Sequence, residues 1–271
     1  MQTYLKTMFT RRDFLITSLG AAAAACQRPA QQNKKTLRFA VASDGHYGQP
    51  KTEYVRYFDE IIKNLQRERA ERGLDFVVFN GDLFHDDTSF LPQVKQQFER
   101  LGFPYYVTRG NHDHVTPAQW RETWGYDLNH VVEMGQNAIL LGDTSNEKGA
   151  YICPDLGWVE KQLIALKDKQ QVFVFLHVCA KDWSPHGTEC RDFEQMLMKY
   201  PNVKATFHGH DHAVDEVKQA QTKPALFDGH FGGNWGVGYR GYRVVEAKPD
   251  GSSYTYQFNP ETQTKVNEKT I

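Results

Sequence analysis

Short apolar runs that each break off into a cluster of metal-ligand side chains recur five times along this chain. Those clusters are Asp44-Gly45-His46, Gly81-Asp82, Gly110-Asn111-His112-Asp113, His177 and Gly209-His210-Asp211-His212. The preceding runs, Thr36 to Ser43, Leu74 to Phe79, Phe103 to Thr108, Gln171 to Leu176 and Val203 to Phe207, read as buried strands. Between them lie segments of helical spacing: Tyr54 to Arg72, stopped by Gly73, then Leu91 to Leu101, Asp155 to Leu166 with Asp155 as N-cap, and Asp192 to Tyr200. Alternation of strand and helix predicts an α/β fold of parallel strands, in which functional loops gather at the carboxyl ends of the strands. All five clusters then converge on one edge.

The remainder is less regular. Val131 to Asp143 reads as a hairpin around Gly135-Gln136-Asn137, and the chain beyond His212 reads as β-rich, with strands at Val214 to Lys218, Pro224 to Phe227, Tyr239 to Glu246 and Tyr254 to Phe258. The expected organisation is an export signal over 1–26, a linker over 27–35, one domain over 36–260 and a tail over 261–271. With 271 residues, 40% of them hydrophobic and 24% charged, the chain is long enough for one large core. A net charge of -1 gives no global attraction to nucleic acid or anionic membrane, although bound cations attract phosphate without a basic surface.

The donor set narrows the chemistry. Asp44 and His46, two positions apart, share one face of an extended backbone and can address the same cation. Asp82 offers two carboxylate oxygens and can bridge a pair of ions, Asn111 offers a neutral carbonyl oxygen, and His177, His210 and His212 offer nitrogens. Imidazole mixed with carboxylate and amide suits Zn, Fe or Mn better than Ca or Mg. Any one of these pairs alone is weak, because loops after strands are rich in Gly, Asp and His for turn reasons. A lone Asp82 is more often a helix cap, and a lone His177 a core histidine.

Taken in order, the series resembles the calcineurin-like metallophosphoesterases, whose signatures are DxH, GD, GNH[DE], H and GHxH. The resemblance spans Asp44 to His212. It implies a metallophosphatase-like, four-layer α/β/β/α fold, a two-sheet β-sandwich flanked by helices. It implies two divalent or trivalent transition-metal ions, one held by Asp44, His46 and His212, the other by Asn111, His177 and His210, with Asp82 between them. Two such ions activate water and neutralise charge on phosphoryl oxygens, so the expected reaction is hydrolysis of phosphomonoesters or phosphodiesters, with a phosphate ester, nucleotides included, as substrate. By the same resemblance His112 is not a ligand but serves the leaving oxygen, with Asp113 holding its ring. The layout is similar to cyclic-nucleotide phosphodiesterase-like members. The alternative is a non-catalytic ligand-binding lipoprotein on the same fold.

Departures from relatives are specific. Purple acid phosphatases carry a Tyr ligand three positions after the bridging Asp, where His85 stands here, so no tyrosinate colour is expected. Arg109 replaces a common Pro and is read either as a phosphate contact or as a surface ion pair. His186, His208 and His230 fall outside the ligand set, the five tryptophans are assigned to packing, and the segment Asp228 to Gly236 is read as a flexible turn in preference to a substrate-facing loop.

The amino terminus carries a separate message. Arg11-Arg12-Asp13-Phe14-Leu15 before an Ala-rich stretch too short to span a bilayer resembles a twin-arginine translocation signal. Cys26 follows Ala23-Ala24-Ala25 and resembles a lipoprotein cysteine, although Ala23 replaces the usual Leu. The expected partners are therefore the twin-arginine machinery and, through lipidated Cys26, a membrane; the expected location is periplasmic or extracellular. Cleavage within the Ala run, giving a soluble periplasmic protein, stays open. Three further cysteines, Cys153, Cys179 and Cys190, permit one disulfide in an oxidising compartment, with Cys179 and Cys190 nearest in sequence and nothing fixing the pairing.

Overall fold

Alternating side chains on the strands sort the interior into three layers of packing. On β1 (Leu37–Ala42), Phe39 and Val41 face one way and Ala40 and Ala42 the other; on β2 (Phe76–Asn80), Phe76 and Val78 oppose Val77 and Phe79. The computed structural model describes residues 35–219 and 221–271. The export signal over 1–26, Cys26 and nearly all of the linker lie outside the described residues. Among the described residues, no helix is long and apolar enough to cross a membrane.

Two six-stranded sheets form the centre. The first runs β12-β11-β10-β1-β2-β3, with β3 (Tyr105–Thr108), β10 (Tyr242–Ala247), β11 (Ser253–Asn259) and β12 (Thr264–Thr270). The second runs β4-β5-β6-β7-β9-β8, with β4 (His130–Met134), β5 (Asn137–Gly142), β6 (Gln171–Leu176), β7 (Val203–His208), β8 (Val217–Lys218) and β9 (Ala225–Phe227). β1, β2 and β3 are parallel, as are β5, β6, β7 and β9, while β10 joins β1 antiparallel. Phe39, Phe76, Phe173, Phe175, Phe207 and Val245 fill the space between the sheets. Outside the first sheet, α1 (Tyr54–Arg72) and α2 (Leu91–Glu99) pack through Phe58, Ile61, Leu65 and Phe98. Outside the second, α4 (Leu156–Ala165) and α5 (Arg191–Met198) pack through Val159, Leu163, Phe193 and Leu197. Layers of helix, sheet, sheet and helix result, as expected.

Three local outcomes differ from the sequence reading. Pro117–Trp124 is an extra helix, α3, closed by a reciprocal cap between Thr116 and Gln119. The expected tail over 261–271 instead supplies β12, which pairs antiparallel with β11 and is largely exposed on a sheet edge. Its alternating polar residues carry no apolar face for a sequence pattern to detect. The disulfide joins Cys153 to Cys190, with Cα atoms 5.7 Å apart, and leaves Cys179 as a buried thiol. The nearest pair in sequence is thus not the bonded one.

Candidate metal centre

The parallel strands deliver their ligands at one end of the sandwich. Asp44 and His46 follow β1, Asp82 follows β2, Asn111 and His112 follow β3, His177 follows β6, and His210 and His212 follow β7. β1, β2 and β3 are neighbours in one sheet and β6 and β7 in the other, so the site straddles both. The expected extended Asp44–His46 backbone is replaced by a tight turn: φ is +59° at Asp44 and +45° at His46, as it is +50° at Asp82 and +64° at His210. Such left-handed conformations cluster where a side chain is held for function. They persist because Asp44 N donates to the Gly81 carbonyl and His46 N to the Asp82 carbonyl, tying the two loops together.

Among the described residues the expected Asp and His ligands fall into two groups of donors. Asp44, His46 and His212 form one, and Asp82, His177 and His210 the other. His46 Nε2 lies 2.9 Å from His212 Nε2, and His212 Nε2 lies 3.1 Å from Asp44 Oδ1. Asp82 Oδ2 is 3.2 Å from His177 Nε2 and 3.6 Å from His46 Nε2, placing one carboxylate between both groups. Separations near 3 Å are those of donors that share one ion at bond lengths of about 2.0–2.2 Å. Buried Asn111 Oδ1 and His210 Nε2 have no hydrogen-bond partner, and His177 Nε2 meets only the Asp82 carboxylate, an arrangement that is costly unless a cation completes it. The residues therefore fit a pair of metal ions.

Electrostatics point the same way. Burial pushes the Asp44 carboxyl up, yet His212 and His177 outweigh it and hold it at about 2; Asp82 is likewise held well below its ordinary range by His177 and His46. Burial opposes a charge on His177, but Asp82 and Asp44 drive it up to about 10. Burial lowers His46 to about 3 and His210 to about 4, leaving neutral rings with free lone pairs. A pair of buried carboxylates demands positive charge at their centre.

Groups beyond the ligands fix ring orientation. His177 Nδ1 lies 2.7 Å from the Asn80 carbonyl and His212 Nδ1 lies 3.2 Å from the Trp235 carbonyl, so in each ring Nδ1–H donates and Nε2 is freed. His46 Nδ1 meets His85 Nδ1 at 3.0 Å. His85, at the position of the purple acid phosphatase tyrosine, thus supports a ligand, and it forms a third imidazole group with His46 and His112. His112 Nδ1 is 2.7 Å from Asp86 Oδ1. Asp113 does not hold that ring: it is buried and accepts from the backbone N–H groups of Gly110 and Phe84, bracing the loop. Burial opposes a charge on His112, but Asp82 and Asp86 raise its pKa.

Arg109 is neither a phosphate contact nor a surface pair. Only 4% exposed, it grips Asp143 through two nitrogens and donates to the Val115 and Ser145 carbonyls. His208 is buried between Thr206 and the Leu176 carbonyl, and burial lowers it to about 3. His230 stacks on His212, whereas exposed His186 lies edge-on to His210. Trp120 is buried as assigned; Trp235, 44% exposed, instead stacks on His212. Alternating apolar patterns give no signal for such a rim residue.

The sequence profile of the calcineurin-like phosphoesterase family matches residues 37–214. The chain belongs to that family. It is accordingly a metal-dependent phosphoesterase. Among its relatives, a probable cyclic nucleotide phosphodiesterase of Colwellia psychrerythraea is 22% identical over 72% of this chain and 79% of its own. A probable glycerophosphodiester phosphodiesterase of Arcobacter nitrofigilis is 30% identical over 52% of this chain and 57% of its own. A dimetal phosphatase of Danio rerio shares the fold, with a TM-score of 0.68 at 13% identity, over 87% of this calcineurin-like chain and 98% of the other.

Proposed function

We propose that this phosphoesterase carries two transition-metal ions, of Fe, Mn or Zn, and hydrolyses phosphodiesters outside the cytoplasm. The carrying observation is the position of Asp82 between two donor groups, with Asn111 Oδ1 and His210 Nε2 left without protein partners. Asp44, His46 and His212 would hold one ion and Asn111, His177 and His210 the other, both sharing Asp82. Ions bound there supply Lewis-acid charge for the phosphoryl oxygens and lower the pKa of water.

The protein's own contribution is positioning and proton supply. His112 N donates to Asp82 Oδ1, which fixes the loop after β3 relative to the centre. The Asp86 contact leaves His112 Nε2 as the proton donor for the departing alkoxide, and Asp82 and Asp86 raise the pKa of that ring. Likeness to proteins described as phosphodiesterases supports a diester substrate.

An extracytoplasmic address is supported by the twin-arginine-like Arg11-Arg12-Asp13-Phe14-Leu15 and by the Cys153–Cys190 disulfide, a bond that persists in oxidising compartments. Lipidation at Cys26 would add a membrane anchor, testable by mass spectrometry of the mature amino terminus. The catalytic reading is tested by metal analysis together with assays on bis-p-nitrophenyl phosphate and p-nitrophenyl phosphate. Two ions per chain, a diester rate above the monoester rate, and loss of both ions in Asp82→Ala are expected. Purified protein that takes up fewer than two ions and cleaves neither ester would overturn it.

A further inference from the structure

Beside the ligands, the cleft of about 250 Å³ is lined by His112, Tyr151, His186, Asp211 and Trp235. No Lys or Arg contributes to this lining among the described residues. Two of the large aromatic side chains are conspicuously open, Trp235 at 44% and Tyr151 at 41%. Exposed rings at the mouth of a pocket mark a surface for a ligand more than for packing. They stand on different ligands: Trp235 lies flat on His212 at 4.3 Å, whereas Tyr151 and His186 approach His210 edge-on at 4.8 and 5.7 Å.

The second wall is built from two loops. Thr144–Ile152 is a small hairpin closed by the Asn146 side chain, which accepts from Lys148 N and Ala150 N, and it carries Tyr151. The excursion between Cys179 and Cys190 carries His186, and its base is closed by Thr188 N on the Cys179 carbonyl and Cys190 N on the Ala180 carbonyl. Val178 N donates to Thr144 Oγ1, and the Cys153–Cys190 disulfide ties the ends of both loops.

We propose that this cleft selects phosphodiesters bearing a planar aromatic substituent, seated between Trp235 and the Tyr151–His186 wall, and that the Cys153–Cys190 disulfide holds that wall in place. The proposal rests on the phosphoesterase reading and adds the substituent it recognises. Rings stack on aromatic side chains whatever their pattern of hydrogen-bonding groups. A diester brings one negative charge and a monoester dianion two, and neither Lys nor Arg lines the cleft to offset the second.

Calorimetric titration of the metal-loaded enzyme tests this without turnover. Three monoanions serve as probes: the monomethyl esters of methylphosphonate and phenylphosphonate, and thymidine 5′-methylphosphonate. Aromatic probes should bind about tenfold or more tightly than the methyl one, the range expected for stacking of one ring. Tighter thymidine binding would assign the substituent to nucleosides, and tight phenyl binding alone to simple aryl groups. Trp235→Leu and Tyr151→Leu, which keep apolar bulk and remove the ring, should bring the preference within twofold. Cys153→Ser should weaken the preference in the same way, and folded Cys153→Ser with an intact preference would remove the bracing role. Three equal affinities in the native enzyme would overturn the proposal even if bis-p-nitrophenyl phosphate is hydrolysed, whereas absence of hydrolysis together with an aromatic preference would overturn only the catalytic reading.

Discussion

His112 Nδ1 and Asp86 Oδ1 lie 2.7 Å apart, and that contact orients the ring that faces the cleft. The carboxylate holds one tautomer and stabilises the protonated ring. Asp86→Asn keeps a hydrogen-bond acceptor but removes the charge. A fall in kcat of about tenfold is expected, against about a hundredfold or more for His112→Ala, each with metal content unchanged. Steady-state assays on a diester with a poor leaving group, paired with metal analysis, check it; equal kcat in Asp86→Asn and native enzyme would assign the carboxylate no part in the reaction. Asp113→Asn should act differently, lowering stability, because its oxygens brace Gly110 and Phe84.

Gly209 is held by its neighbours, not by its backbone angles. A Cβ there would stand 1.8 Å from Ser43 Oγ and 2.5 Å from Asp44 Oδ2. Gly209→Ala should therefore displace the Asp44 carboxylate and weaken metal retention about tenfold or more, in line with disturbed ligand support in other sites. Dialysis against graded chelator followed by elemental analysis measures it. Retention equal to that of the native enzyme would show that the loop absorbs the methyl group.

Much of this was legible because the candidate ligands terminate strongly apolar strands, and strand ends are where a parallel sheet collects its chemistry. Every anticipated ligand falls in the two donor groups or, for Asn111, in the cleft beside them. Asp86 and His85 escaped because their contacts depend on how two loops meet, and the family resemblance pointed to Asp113 for the His112 contact that Asp86 makes. Arg109 gave the same difficulty: its partner Asp143 is 34 positions away, at the end of a strand in the other sheet. The pairing of Cys153 with Cys190, 37 positions apart, likewise follows from how two loops meet, not from sequence distance.

Arg109 and Asp143 form a nearly solvent-free pair, with side chains only 4% and 11% exposed. Removing one partner leaves the other charge buried. Arg109→Ala is expected to destabilise the fold by about 3–5 kcal/mol, and Arg109→Lys to recover only part of that, since one ammonium cannot replace the forked contact or reach both the Val115 and Ser145 carbonyls. Urea unfolding of the three proteins decides the matter. A change below about 1 kcal/mol in Arg109→Ala would mean that solvent reaches Asp143 freely.

Glu194, in the first turn of α5, gives a pH signature remote from the metal ligands. Burial raises its carboxyl from 4.5 to about 7, opposed by Lys181 and reinforced by Glu189. Below pH 4.5 the group is protonated in both folded and unfolded chains and exerts no penalty. Between pH 4.5 and 7 the folded state binds more protons than the unfolded one, so stability falls as pH rises, and above pH 7 the loss is complete. Glu194→Gln removes the charge and should leave stability at pH 4 nearly unchanged while raising it at pH 8 by roughly 1–2 kcal/mol, the full linkage value being reduced by solvent screening at this half-buried position. Parallel denaturation curves for the two proteins at pH 4 and 8 test the sign. A variant less stable at pH 8 would mean that attraction to the Lys181 charge outweighs desolvation and that the carboxylate is the favoured form in the fold.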